Sequence, residues 1–597
     1  MKTVAYLKSK NSDTLFSNAR KYLKEGNIVD FEEELNKIGK RRLNLDNKLV
    51  LNQYLIRLLR TKNKFDEANR LVELSLGLSK NDSEIRMSFL IDKSYIYFEN
   101  FEYDLGIKLL QEASNYAKKQ TQKRQYLVVL HHLIMFHLKL KNFNETEKFI
   151  IEAEGLFSIL PDELLKSNIR LLKGKFLKKV GHFDQAFELV LDQLAYYQSN
   201  GNNLFIARCY FELGDICLTT GSLIKSHNYF EQAHLLFFQT SNSYGLTNTK
   251  IKLALINIYN MHFEKASSLI SEALLLQQSL NNEYYIGLLS IYLGIVNSHI
   301  NHESANYYFL NGLGVFKELN LGICYDWGLY EYSKFISKFK PSEINYLKKS
   351  VHLKIFFNNF YVGFAYALIN TSEGNIGKAL IIIDEIREKK LTISEYTEIT
   401  LLYCKLLVKK WIISKNSNLF SEVEAIITEF ENFCSKNGII KEQILITFIK
   451  GELYLENFSF TVAKENLLKA IELAGKNGFL LFKTEMTNTL LILNLKIQEY
   501  SLDQPNRTSA KDITKKNNNI ILPILSPIKS TRTLAKSIQR EKIISILKNE
   551  PLGIEQKNLS KLTKLSQATI SRRIKELLEA KLVYKESFNS KTFIKLL

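Results

Sequence analysis

The feature that most constrains this chain is a beat of about 40 residues. Similar short turns recur along it: "NKFDEANRLV", "KNFNETEKFI", "GHFDQAFELV", "GSLIKSHNYF", "MHFEKASSLI", "GNIGKALIII" and "ENFSFTVAKENLL". Taking the apolar residue after each turn as an anchor gives Phe65, Tyr103, Phe143, Phe183, Leu223 and Phe263, one step of 38 followed by steps of 40. The beat continues through Glu303, a degraded Glu343, Ile376, Phe420 and Phe460, with Ile28 as an earlier member. Self-similarity at this period means that each unit buries its apolar face only against its neighbours, so the chain must stack into an extended array.

Offsets from the anchors say what each unit is made of. Three residues on lies a small residue: Ala68, Gly106, Thr146, Ala186, Ser226, Ala266, Ala379, Ala463. Seven on is bulky: Val72, Leu110, Ile150, Val190, Phe230, Ile270, Ile383, Leu467. Ten on, alanine recurs at Ala113, Ala153, Ala233, Ala273 and Ala470. Offsets of about 3, 7 and 10 share one face of a helix. Nine residues before the anchor another small residue returns, at Ser94, Gly174, Gly214, Ala254, Gly294, Ala367 and Gly451. That places it on the preceding helix, where small residues at facing positions let two helices approach closely.

In "LGDICLTTGSLIKSHNYFEQA", Leu213, Gly214, Gly221, Leu223, Ser226, Phe230 and Ala233 stand at the signature positions of a tetratricopeptide repeat, which this segment resembles. The departure is the period, which in that family is about 34; the added residues are expected in the second helix or in the loop between repeats. The pattern runs from about residue 20 to residue 490. The resemblance implies an all-α, right-handed superhelix of about 10–12 repeats, with a protein or peptide ligand in its concave groove or self-association as a homodimer, and no catalysis. A spacer that binds nothing in its groove is the alternative, since fold alone does not establish function.

Residue chemistry points away from an enzyme. "GNIGKAL" lacks the spacing of a phosphate-binding loop, and its Gly374, Ile376 and Ala379 already fill repeat positions. His131, His132 and His137 offer no i, i+4 pair to aim two imidazoles at one metal, and His182, His262 and His302 recur because each precedes an anchor. No nucleophile elbow or dinucleotide fingerprint is present, so no catalytic, metal or cofactor site is expected. The five cysteines, Cys209, Cys217, Cys324, Cys404 and Cys434, are odd in number and show no C-x-x-C spacing, which suits reduced thiols in a cytoplasmic protein. "MKTVAYLKSKNSDTLF" lacks a signal-peptide core, and no apolar run is long enough for a bilayer, so no membrane partner is expected.

Near Ser501 the rhythm stops. Residues 501–533 hold three of the six prolines and an Asn run, the composition of a linker between a repeat domain at 1–500 and a module at 534–597. Within the linker, "IILPILSPI" is apolar and suited to docking on a neighbour. Charge changes as well. Residues 529–597 carry 16 Lys+Arg against 6 Asp+Glu, a net of +10, whereas 1–500 carry 61 against 54, a net of only +7. A concentrated basic module is the footprint of a polyanion binder, with a solubilising tail as the plain alternative.

The module opens with an amphipathic helix bearing Ile543, Ile544 and Leu547, broken by "PLG". A short helix with Leu559 and Leu562 follows, then a turn with Ser566 as N-cap. A third helix over 567–580 has Ile570, Ile574, Leu577 and Leu578 as its apolar stripe, and Gln567, Thr569, Arg572, Arg573 and Lys575 mostly off it. "KLVYKE" and "TFIKLL" alternate as a hairpin around "SFNS".

"LSKLTKLSQATISRRIKELLEAKLVYK" resembles the turn, recognition helix and wing of MarR- and ArsR-like winged helix-turn-helix regulators, with Lys564 where many of them have glycine. The resemblance implies a transcriptional regulator that binds double-stranded DNA through Ser566, Gln567, Thr569, Arg572, Arg573, Lys575, Lys585 and Lys591. Gln567 would pair with adenine and an arginine with guanine, while the wing lysines meet phosphates. Helical repeats followed by a winged helix also resemble PCI scaffold subunits, in which the winged helix packs on proteins. The linker and the basic third helix weigh against that reading.

Overall fold

The computed structural model describes residues 12–25, 28–61, 64–79, 83–119, 122–339 and 360–502, together with 543, 546–547, 554–563, 566–579, 583–588 and 591–596. The chain forms two compact units, Met1–Thr508 and Ser509–Leu597.

The first unit is a run of helix pairs, among them Glu163–Val180 with Phe183–Ser199, Asn203–Thr220 with Leu223–Gln239, and Ser243–Tyr259 with Phe263–Ser279. A final helix, Leu480–Leu502, follows the last pair and runs two residues past the expected end of the repeat domain. Phe65, Tyr103, Phe143, Phe183, Leu223, Phe263, Ile376, Phe460 and Ile28 are each the first residue of a helix. Two anchors shift. The helix expected at Glu303 starts at His302, because the Asn301 side chain accepts from the Glu303 and Ser304 amides. Counted from His302, Ala305 and Phe309 fall at the small and bulky positions, and both are buried. The helix holding Phe420 starts at Ser417, behind an Asn416 cap, while Val423 and Ile427 keep the core offsets. Glu343 lies outside the described residues.

The longer period is taken up by helix. Ser243–Tyr259 and Phe263–Ser279 have 17 residues each, and three residues join them. So tight a reversal needs a left-handed residue, and one stands two positions before an anchor at Phe101, Lys141, Gly181, Gly221, Met261, Gly374 and Phe458. Glycine adopts that conformation freely, whereas for the others it costs about 1–2 kcal/mol, which the packing on either side overrides.

Packing explains the small residues. A Cβ on Gly214 would lie 2.9 Å from the Phe230 ring, and one on Gly174 2.8 Å from Val190. On Gly451 it would lie 2.9 Å from Leu467. At these three sites the glycine nine before the anchor therefore receives the bulky residue seven after it. Between these helices the Ser226 hydroxyl donates to the Gly214 carbonyl at 2.8 Å.

The array also closes on itself, which its periodicity does not announce. Turns of early repeats meet the first residues of much later helices. Lys141 pairs with Glu395; Gly181 lies against Ile393 and Gly221 against Ile440. Tyr259 meets Phe479 edge-on at 5.2 Å between centroids, and the Thr484 hydroxyl donates to Met261 Sδ at 3.5 Å. Leu223, Phe230, Leu253 and Ile256 share one core with Ile444, Ala470, Ala474 and Phe479.

In the second unit, Ile543, Leu547, Ile554, Leu559, Ile570, Ile574, Leu577, Val583 and Ile594 form a core of their own. Its elements are β1 (Ile554–Glu555), the helix Gln556–Thr563, the recognition helix Gln567–Glu579, β2 (Val583–Phe588) and β3 (Lys591–Leu596). The sheet order is β1-β3-β2, antiparallel throughout. The expected hairpin is present; β1 is an addition, since two residues are too few to show alternation. Of the two leucines on the short helix, Leu559 is buried and Leu562 is 56% exposed, and Thr563 is buried as well.

Candidate nucleic-acid interface

The recognition helix begins where its cap dictates. The Thr569 amide donates to Ser566 Oγ at 3.2 Å, and the Ile570 amide to the Ser566 carbonyl at 3.0 Å. The hydroxyls of Ser566 and Thr569 share a further hydrogen bond of 2.8 Å. Ser566 is thus the N-cap, and its hydroxyl is engaged with the helix rather than free for a ligand.

Ile570, Ile574 and Leu577 turn inward, with Leu578 half-buried beside them. Gln567, Ala568, Ser571, Arg572 and Lys575 are exposed, and Thr569 is half-buried. Gln567, Ser571 and Lys575 stand at i, i+4 and i+8, and Arg572 lies one turn after Ala568, so they form one continuous ridge. A small residue at Ala568 lets that ridge approach a partner surface closely. Ala568 and Ser571 had no chemical signal of their own; only their spacing from Gln567 reveals them. Asn558 and Lys561, on the preceding helix, are exposed too.

Arg573 is a correction. The sequence groups it with the residues mostly off the apolar stripe, and the resemblance places it among the DNA-binding ones, yet it is 2% exposed. The reason is its register: three residues after Ile570 and four before Leu577, it belongs to the inward face. It has interactions within the protein, and at this burial its guanidinium is not displayed on the ridge.

On the wing, Lys585 pairs with Ile594 and Lys591 with Phe588 in the β2–β3 ladder. Their side chains lie outside the described residues. The structure therefore brings Gln567, Arg572 and Lys575 onto one surface with Thr569 at its edge, and takes Arg573 out of it. An exposed amide, a guanidinium and an ammonium along one helix can reach base edges and phosphates of a duplex.

The repeat array covers part of its own first-helix surface. Phe101, in an early turn, packs on Tyr284 at 5.2 Å between centroids, and the Lys141 ammonium lies 5.6 Å from the Tyr361 ring. Tyr244 remains open, at 62% exposure. Burial pushes the Cys209 thiol up to about 12 and the Cys324 thiol up to about 11, which leaves both unreactive near neutrality. Among the described residues no group of three His, Cys, Asp or Glu could hold a metal ion, and no helix is long and apolar enough to cross a membrane.

Residues 537–584 match the family model described as winged helix-turn-helix DNA-binding. No curated protein shows significant sequence similarity to the chain. Among solved structures, the chain is similar to a Rap protein complexed with competence and sporulation factor, at 16% identity over 69% of this chain and 99% of that one, with a TM-score of 0.40. It is similar to the apo form of the quorum sensor NprR from B. thuringiensis, at 14% identity over 60% and 99%, TM-score 0.40. Yeast Tom70 matches at 15% identity over 85% and 99%, TM-score 0.39. The architecture of a tetratricopeptide-like array followed by a winged helix rests on the helix register and the C-terminal family match.

Proposed function

We propose that the protein is a cytoplasmic, non-catalytic transcriptional regulator that binds double-stranded DNA through its winged helix. Its repeat array receives a protein or peptide partner or supports self-association as a homodimer. The observation that carries the reading is the exposed ridge of Gln567, Ser571, Arg572 and Lys575 on the helix Gln567–Glu579. It lies within the residues 529–597 that hold a net charge of +10. A helix that displays amide and cationic groups on one face, and is anchored by Ile570, Ile574 and Leu577 on the other, suits a major groove. Basic residues meeting phosphates add affinity that depends on salt.

The test is titration of the full-length protein with duplex DNA between roughly 50 and 200 mM salt. Binding that falls steeply with salt is expected. Absence of binding at the low end would reject the reading and leave the winged helix as a protein-assembly module.

A further inference from the structure

A cavity of about 150 Å³ opens where early and late repeats of the array meet. Asp215, Thr219 and Lys252 line it from one side, and Ser394, Lys441 and Glu442 from the other. Its charges are balanced. Asp215 Oδ1 is 2.7 Å from the Lys252 ammonium, and its second oxygen meets Lys178. The Lys441 ammonium is 3.2 Å from Glu442. Against the burial that opposes it, Lys178 and Lys252 hold the Asp215 carboxyl far below its usual range, so it stays ionised.

An ammonium has three donors and a carboxylate about four acceptor sites. The pairs above therefore leave capacity of both signs toward the cavity. A lone anion or cation would unbalance the set, whereas a small zwitterion completes it. A space of this size holds several waters or one small organic molecule. Leu218 and Leu255 supply an apolar patch in the same wall.

We propose that this cavity binds a free α-amino acid with a small side chain, its carboxylate taken by Lys252 and Lys441 and its ammonium by Asp215 and Glu442. Such a ligand touches both early and late repeats and stabilises the closed array by mass action. The inference does not depend on DNA binding.

Calorimetric titration and thermal melting of the full-length protein test it, with glycine, alanine and serine as probes. Propionate and ethylamine, which carry one charge each, are the controls. At least one amino acid should bind and raise the melting temperature with concentration, while neither control does so. Thr219→Met, which fills the cavity, should weaken binding by at least about tenfold. Where circular dichroism shows that variant misfolded, Lys252→Gln replaces it with the same expectation. The proposal is overturned if none of the three probes binds, if either control binds as tightly, or if a folded variant keeps wild-type affinity. The wild-type titration decides alone if both variants misfold.

Discussion

Gly214 lacks a side chain because the Phe230 ring occupies the place where one would be. Gly214→Val must push that ring or separate the two helices, and overpacking of this kind costs about 1–3 kcal/mol. Thermal melting should show the loss, and an unchanged transition would mean that the packing between these helices is not as described. Glu452 offers a test by pH. Burial raises its carboxyl to about 8, against the pull of Lys405. The folded chain thus keeps a proton that the unfolded chain releases above its ordinary value of 4.5. The stability it contributes is complete below 4.5 and is lost as pH rises through 8. Glu452→Gln, always neutral, should flatten that slope and melt higher than the parent above about pH 8. Parallel melting curves for the two proteins across the range would show that Glu452 titrates normally.

At the scale of elements, the recognition helix separates readers from holders. Ser566→Ala removes the cap on the Thr569 amide and should cost about 1 kcal/mol of module stability. Gln567→Ala should change sequence preference, costing about 1–3 kcal/mol on the best site if its contact to a base is bidentate. Arg572→Ala should weaken binding and lower the salt slope by about one unit if that guanidinium holds a phosphate. Arg573→Ala acts differently: it removes a buried group, so it should lower the melting temperature of the module before it alters DNA affinity. Binding curves on specific and random duplexes, paired with melting of each variant, distinguish these outcomes. Equal effects of Arg572→Ala and Arg573→Ala on both readouts would erase the distinction.

For the whole molecule, the closure between early and late repeats is the feature to test. Gly221 combines a φ of 85° with a site where a Cβ would lie 2.9 Å from Ile440. Gly221→Val should therefore strain the turn and force the contacting repeats apart. Small-angle scattering should report a larger radius of gyration, with helical circular dichroism retained, because each helix pair keeps its own neighbours. An unchanged radius would show that the contact at Gly221 does not hold the array closed.

How much of this was legible beforehand follows from where each signal resides. The anchors at Phe183, Leu223 and Phe263, the recurrence of small residues where two helices face each other, and the inward stripe of Ile570, Ile574 and Leu577 are all readable, whereas the seating of Phe230 on Gly214 is seen only in the structure. Helical periodicity and nearest-neighbour packing are written locally, within about one repeat of each residue. Arg573 is buried despite its charge, because its offsets from Ile570 and Leu577 put it on the inward face. The one-residue slip to His302 came from a cap at Asn301, a local choice among competing starts. The contacts of Lys141 with Glu395, of Gly221 with Ile440 and of Tyr259 with Phe479, and the cavity beside them, had no local signature. They depend on small rotations between repeats accumulated over some 200 residues, and only the assembled structure sums them.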